Sequence, residues 1–312
     1  MALRYLILAS LAWVALPVRA APPNLAFRPA GDGLFEFDTG KLTGRLKVDG
    51  KDQGLYPVVD VATGAELVHA PGIFSFYRVF ANGERYGNAA RDWPTVSTLL
   101  PDGAVELRWP AAEEHPLAMT GVYRWTSADT LDLEVSITPR QKMRRFELFM
   151  SSYFTKGFRA SVFAKEGEGG RARFEPVDKT PSSGGRYVTF PRDAEALAMV
   201  RDGRWTIPPS PVDWDMRSWL AAPLAIRRDT SLGLTAVMML RPEDCFAVST
   251  PWNPESSEAG GYRSLYQSLF GRDLEAGQTV RAHCRLVIRR DTSDEWIVGE
   301  FDAFLKGPAI TP

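Results

Sequence analysis

Excess positive charge, histidine, cysteine and long apolar runs are all scarce in this chain of 312 residues. Its 37 lysines and arginines stand against 38 acids, for a formal charge of −1, and no block concentrates the positive charge. Nucleic acids and anionic membranes are bound through basic faces or blocks, so neither is expected as a partner. The short clusters KMRRF at Arg144 and IRR at Arg227 and Arg289 fall at strand ends and read as solvated faces. With 2 cysteines, 3 histidines, no CxxC and no HxxxH, metal-ligand spacing is missing, and no metal or other cofactor is expected. Cys245 and Cys284 leave two readings open. They can pair in an oxidising compartment, or Cys284 can act as a small buried hydrophobe, sharing an alternating apolar side with Val280, Ala282, Leu286 and Ile288. The N-terminal apolar run, Tyr5 to Leu16, is shorter than the roughly 20 residues of a spanning helix. With Arg4 before it and Val18-Arg19-Ala20 after it, it has the form of a secretory signal cleaved after Ala20. Residues 21–312 would then work in the periplasm or outside the cell, with no membrane insertion.

What is abundant is alternation. From Leu34 onward, short runs of alternating polarity are broken by turn chemistry, the pattern of successive antiparallel strands. The turns are Asp49-Gly50, Asn82-Gly83, Pro101-Asp102-Gly103 and Ser127 to Thr130, and Asn-Gly and Asp-Gly accept the positive φ angles of tight primed turns. Val105, Leu107 and Trp109 oppose Glu106 and Arg108; Leu131, Leu133, Val135 and Ile137 oppose Asp132, Glu134 and Ser136. One face of each strand thus goes to a core. The segment Lys165 to Ser218, rich in glycine, proline and charge, reads as long loops over the sheets, with a division into two domains there as the alternative. Near the C-terminus Thr292 or Ser293 can cap a helix with Glu295 in its first turn. Trp296, Ile297, Phe301, Phe304 and Leu305 form its apolar stripe, and Gly307-Pro308 stops it. Such a helix is expected to cover the open end of a sheet. The expectation is an all-β single domain, a large antiparallel β-sandwich with a short C-terminal helix.

The stretch Ser264 to Gly307, with its strand, DLEAGQTV turn, long strand and closing helix, resembles the end of galactose mutarotase-like domains. The opening strands GKLTGRLKVDGKDQGLYPVVDVATGAELV and the RVFANGERYG hairpin are similar to the same superfamily. The resemblance implies a β-supersandwich whose concave sheet holds a carbohydrate. That fold serves epimerases, polysaccharide lyases and non-catalytic modules, so function has to be argued from a site. The histidine acid and glutamate base of true mutarotases have no matching context here, which counts against aldose epimerisation.

Candidate chemistry falls into two groups. Proton transfer at a sugar needs an acid and a base within hydrogen-bond reach of it. His115 lies in the loop EEHP, and His283 lies on the polar side of the last strand between Arg281 and Arg285. Tyr262 and Tyr266 stand near Arg263 in GYRSLYQ, a lyase-like combination of phenol base and carboxylate-neutralising arginine. His69, after ELV, reads as a capping histidine. Binding is carried by aromatics: of 9 tryptophans, Trp93, Trp205, Trp214, Trp219 and Trp252 stand in loop-like contexts. Sugars present flat C–H faces that pack on rings, with a rim of hydroxyls for polar groups. DWDMRSW, with Trp214, Asp215 and Arg217, has that composition. So does the Arg91-Asp92-Trp93 segment. Period two sorts Phe74, Phe76, Arg78 and Phe80 to one face and Ile73, Ser75, Tyr77 and Val79 to the other, so Arg78 must stack and pair with a carboxylate or reach into a groove. Three functions fit: a carbohydrate-binding protein, a polysaccharide lyase or related enzyme, or a cell-envelope protein with no sugar site.

Overall fold

The computed structural model describes residues 24–167, 169–177, 187–251, 263–290 and 292–307. Residues 1–23, with the N-terminal apolar run, lie outside the described residues, as do Trp252, Tyr262 and Pro308. Strands dominate, and they form three sheets. The nine-stranded sheet runs, edge to edge, Arg173–Pro176, Arg159–Lys165, Trp219–Asp229, Leu234–Leu240, Val280–Arg290, Thr130–Pro139, Leu117–Ser127, Val105–Trp109 and Val96–Leu99. The seven-stranded sheet runs Trp214–Met216, Tyr187–Pro191, Cys245–Pro251, Ser264–Leu274, Met143–Tyr153, Ser75–Ala81 and Glu84–Arg85. A four-stranded sheet of Arg28–Pro29, Leu34–Asp38, Leu42–Lys47 and Gly54–Asp60 completes the set. Pairing is antiparallel except between Tyr187–Pro191 and Trp214–Met216.

All four turns fall between paired strands. Asn82 and Gly83, at φ 56° and 80°, close the hairpin between Ser75–Ala81 and Glu84–Arg85, the left-handed pair that a primed two-residue turn requires. The inner faces of the two large sheets share one apolar core. In it Phe76 packs on Trp109 with ring centroids 4.6 Å apart, and Val105, Leu107, Leu131, Leu133, Val135 and Ile137 lie inward as their alternation requires. Tyr123 crosses the layer to donate to the Phe74 carbonyl at 2.8 Å. Cys245 and Cys284 are both buried, with free thiols. Burial pushes the Cys245 thiol up to about 12 and raises that of Cys284 as well, so neither is a ready thiolate.

Three expectations are revised. The C-terminal helix, Asp294–Lys306, is capped by Ser293, whose side chain accepts from the Trp296 amide. It lies on the outer face of the nine-stranded sheet and not over an open end: Ile297, Phe301 and Phe304 pack on Leu224, Ile226, Val237, Met239 and Val287. Each such buried side chain is worth about 1.5–3 kcal/mol, which explains why a face that would otherwise be exposed is apolar. The stretch from 165 to 218 is more than loop. It supplies edge strands to both large sheets, a helix at Ala194–Val200 and a 3-10 turn at Arg204–Thr206. Arg227 is not on a solvated face. It is buried between the sheets, donating to the Phe158 carbonyl at 3.3 Å and to Thr250 Oγ1 at 2.7 Å, and burial pulls its guanidinium down to about 9.

Candidate functional site

The outer face of the seven-stranded sheet carries a second aromatic cluster, separate from the core. Phe149, Tyr153 and Tyr266 rise from adjacent strands, and the segment after the helix Ala194–Val200 lays Trp205, Val212 and Trp214 across them. Trp205 and Trp214 meet edge to face at 5.0 Å, Phe149 lies 4.6 Å from Trp205 and 5.0 Å from Tyr266, and Tyr187 stands 5.6 Å from Trp214. Tyr77, Tyr153, Tyr187, Trp214 and Tyr266 enclose a small cavity of about 110 Å³ there. A cleft of about 290 Å³ adjoins it, sharing Tyr77, Tyr153 and Ser210 and adding Lys51, His69, Arg91 and Arg263. That is near the lower bound of about 300 Å³ for small-molecule sites.

A backbone irregularity brings Tyr77 to this face. Arg78 pairs with Phe149 and Phe76 with Met150, so Tyr77 and Arg78 together oppose one residue, as in a β-bulge. The bulge turns Phe76 into the core, away from the face of Arg78 to which simple alternation assigned it. Tyr77 and Arg78 both go outward, where Tyr77 meets Phe149 at 6.3 Å and the Arg78 guanidinium stacks 3.1 Å from the centre of Trp205.

Arg78 is the anchor beneath the aromatic cluster. It is fully buried and donates to Glu147 Oε2 at 2.6 Å and to the Arg204 carbonyl at 3.0 Å. Glu147 also accepts from Arg204 at 3.2 Å and from Ser268 at 2.9 Å, and Arg204 reaches Asp202 at 2.9 Å. Burial alone would raise the Glu147 carboxyl, but the charges of Arg78 and Arg204 outweigh it and hold the group below its ordinary value. Burial lowers Arg78 to about 10, leaving it charged at neutral pH. The network rivets the 202–205 turn to the sheet. Arg85 ties down the next stretch by donating to the Pro209 carbonyl at 2.8 Å.

The sequence candidates separate clearly. Arg91, Trp214, Arg263 and Tyr266 come together on this face, and Arg78 lies directly below it. Trp93 turns inward, stacking on His115 with centroids 3.9 Å apart and planes 7° apart. Both are buried and line neither the cavity nor the cleft, while Asp92 between Arg91 and Trp93 is exposed. Asp215 is half-buried on the edge strand beside Trp214, and Arg217 lies 3.4 Å from Glu175. His283 belongs to the other large sheet. Its Nε2 is 3.2 Å from Asp132, which accepts two bonds from Arg285, and its ring meets Phe304 of the C-terminal helix at 4.8 Å. Alternation did place His283 opposite Cys284, but that side is roofed by the helix. Tyr77, Phe149, Tyr153 and Tyr187 are site residues that sequence reasoning missed. Only Tyr77 carried a signal, in its arginine-rich surroundings.

Two features of the site are chemically unspent. The Trp214 Nε1 and Arg91 Nε donors are buried and bond to no described residue. Tyr77 is the titratable group of most interest. Burial would raise its phenol, yet hydrogen bonds with Arg85 and Ser210 and the charges of Arg85 and Arg91 bring it below the ordinary value. Among the described residues no cluster of three or more His, Cys, Asp or Glu is placed to hold a metal ion, and no helix is long and apolar enough to cross a membrane.

No protein-family model matches the chain, and no curated protein matches it. Solved structures do. A Synechocystis sp. protein superposes with TM-score 0.51 at 12% identity, covering 88% of this chain and 100% of its own. A galactose mutarotase-like protein of Clostridium acetobutylicum gives 0.50 at 11%, covering 86% and 99%. A Klebsiella pneumoniae protein put forward as an aldose 1-epimerase gives 0.50 at 9%, covering 89% and 84%. The fold is that of galactose mutarotase-like proteins, a large antiparallel β-sandwich.

Proposed function

We propose that this protein is an exported carbohydrate-binding protein that holds a saccharide on the aromatic face of its seven-stranded sheet, over Tyr77, Trp214 and Tyr266. The single observation that carries the reading is the join of an aromatic cavity to a polar cleft, with a buried indole donor left unpaired at Trp214. Ring faces suit the C–H surfaces of a pyranose, and an unpaired buried N–H suits a hydroxyl acceptor. Structural kinship to proteins described as mutarotase-like supports a sugar as the partner in general terms, while the fold alone is compatible with many functions. Isothermal titration calorimetry against a panel of oligosaccharides tests this. Wild type should bind at least one, and Trp214→Ala should weaken that binding about tenfold or more, the equivalent of one buried donor and one stacked face. Binding unaffected by Trp214→Ala defeats the proposal. Export is part of the proposal, resting on the N-terminal segment; cell fractionation that finds the uncleaved chain in the cytoplasm removes it.

A catalytic reading has one observation in its favour, the acidified Tyr77 phenol between Arg85 and Arg91. A phenol of that kind is a fit base for proton abstraction beside a carboxylate, with an arginine to neutralise it. Incubation with acidic polysaccharides while following absorbance of unsaturated products checks it. An increase in wild type that is lost in Tyr77→Phe supports elimination, and no increase on any of them refutes it for those substrates.

A further inference from the structure

We infer that the saccharide bound here is acidic, and that the cleft bearing Lys51, Arg91 and Arg263 is the subsite for its carboxylate or sulfate group. The inference rests on the carbohydrate reading above and narrows it to a ligand class.

Among the described residues the cleft is lined by three basic side chains, Lys51, Arg91 and Arg263, and by no aspartate or glutamate. This is not a by-product of a basic protein, since the chain's formal charges nearly cancel. Several other arginines are matched with acids: Arg78 and Arg204 with Glu147, Arg285 with Asp132, Arg290 with Asp60, Arg217 with Glu175, while Arg227, buried between the sheets, is held by the Phe158 carbonyl and the Thr250 hydroxyl. Arg91 has no such acid among the described residues, and unlike Arg227 it lines an open cleft. One terminal nitrogen donates to Ser75 Oγ at 3.2 Å, its Nε is buried without an acceptor, and it pairs with no described carboxylate. Its guanidinium carbon lies 5.1 Å from the centre of the Tyr77 ring, the residue shared with the aromatic cavity. A cation stripped of part of its water and given no protein counterion is costly unless a ligand supplies the negative charge. The planar fork of arginine matches the paired oxygens of a carboxylate or sulfate. Arg91 also contributes, after hydrogen bonds from Arg85 and Ser210 and the charge of Arg85, to lowering the Tyr77 phenol against the effect of burial. A sugar ring over the aromatics would bring a substituent across Tyr77 and into this cleft.

The test is calorimetric titration of three tetrasaccharides, a galacturonate, a sulfated chondroitin and a neutral galactan, at low and high salt. Wild type, Arg91→Gln and Lys51→Gln are compared, each first checked for an unchanged melting temperature. Lys51 is exposed, so its substitution keeps the test valid if Arg91→Gln unfolds. The expected result is that at least one acidic probe binds about tenfold or more tighter than the neutral one, as charge-assisted pairing allows. Added salt should reduce that preference, and Arg91→Gln should bring the acidic probe to the neutral level, with Lys51→Gln intermediate. Preference for the galacturonate identifies a carboxylate subsite; preference for the chondroitin identifies a sulfate subsite. Equal, salt-insensitive affinity for acidic and neutral probes overturns this inference and leaves the carbohydrate reading standing. Failure of all three to bind overturns both.

Discussion

Replacing Glu147 by glutamine removes one negative charge from a place where two arginines depend on it. Glu147 is fully buried and accepts from Arg78, Arg204 and Ser268 at 2.6, 3.2 and 2.9 Å. Glutamine keeps the shape but turns one acceptor into a donor facing other donors, and it leaves Arg78 with no acid partner. Removing one member of a buried pair costs about 3–5 kcal/mol, because the remaining charge stays desolvated. At about 2–4 °C per kcal/mol for a domain of this size class, the melting temperature should fall by roughly 6–20 °C. The loss should also show in the site: Trp205, stacked on Arg78, and the 202–205 turn lose their anchor, so saccharide affinity should drop with stability. Urea denaturation followed by circular dichroism measures the effect. A pH series adds a sign. The Glu147 carboxyl is held below its ordinary value when folded, so its contribution is present above the unfolded value of about 4.3 and is lost as pH falls through the folded one. The gap between wild type and variant should therefore close in acid. A destabilisation under about 1 kcal/mol at neutral pH, the scale of a surface pair, would refute the claim that this network holds the aromatic segment in place.

Other expectations follow from the same geometry. Asp244 is raised to about 6, mainly by burial. A group raised on folding favours the native state below its unfolded value and ceases to do so as pH rises through the folded one, so Asp244→Asn should gain about 1–3 kcal/mol over wild type between pH 4.5 and pH 8. Melting curves at the two pH values decide it, and a constant difference contradicts it. Cys245 and Cys284 should resist a thiol reagent in native buffer and react fully after denaturation; rapid native labelling would mean that the core around them opens. Trp93→Ala removes the ring stacked on His115 and should destabilise by about 3–5 kcal/mol. Its effect on saccharide binding, measured below the melting transition, should be small.

The strands were legible because their causes are local. Asn82-Gly83 and Asp102-Gly103 specify turns by their φ preferences, and the alternation in Val105–Trp109 specifies a face. Arg78 was legible in part: an arginine among phenylalanines had to find a ring and an acid, and it found Trp205 and Glu147. Which ring and which acid depended on segments far along the chain. Tyr77 was hidden by the bulge, because one extra residue inverts the alternation that assigns faces. His283 failed to join the site for a different reason. Period two tells that a residue leaves the core, and does not tell whether the far side meets solvent, a groove or, as here, a helix. Trp214 and Arg91 were named from the composition of their segments, and Tyr266 and Arg263 from a lyase-like pairing of phenol and arginine, while Tyr153 and Tyr187 sit in contexts with no distinguishing neighbour.

The most direct test of the central claim is a crystal structure of the protein soaked with whichever tetrasaccharide binds tightest. The account predicts a sugar ring packed against Trp214 and Tyr266, with its acidic group within hydrogen-bond distance of Arg91. A saccharide bound instead elsewhere on the surface, with the aromatic face of the seven-stranded sheet empty, would contradict it.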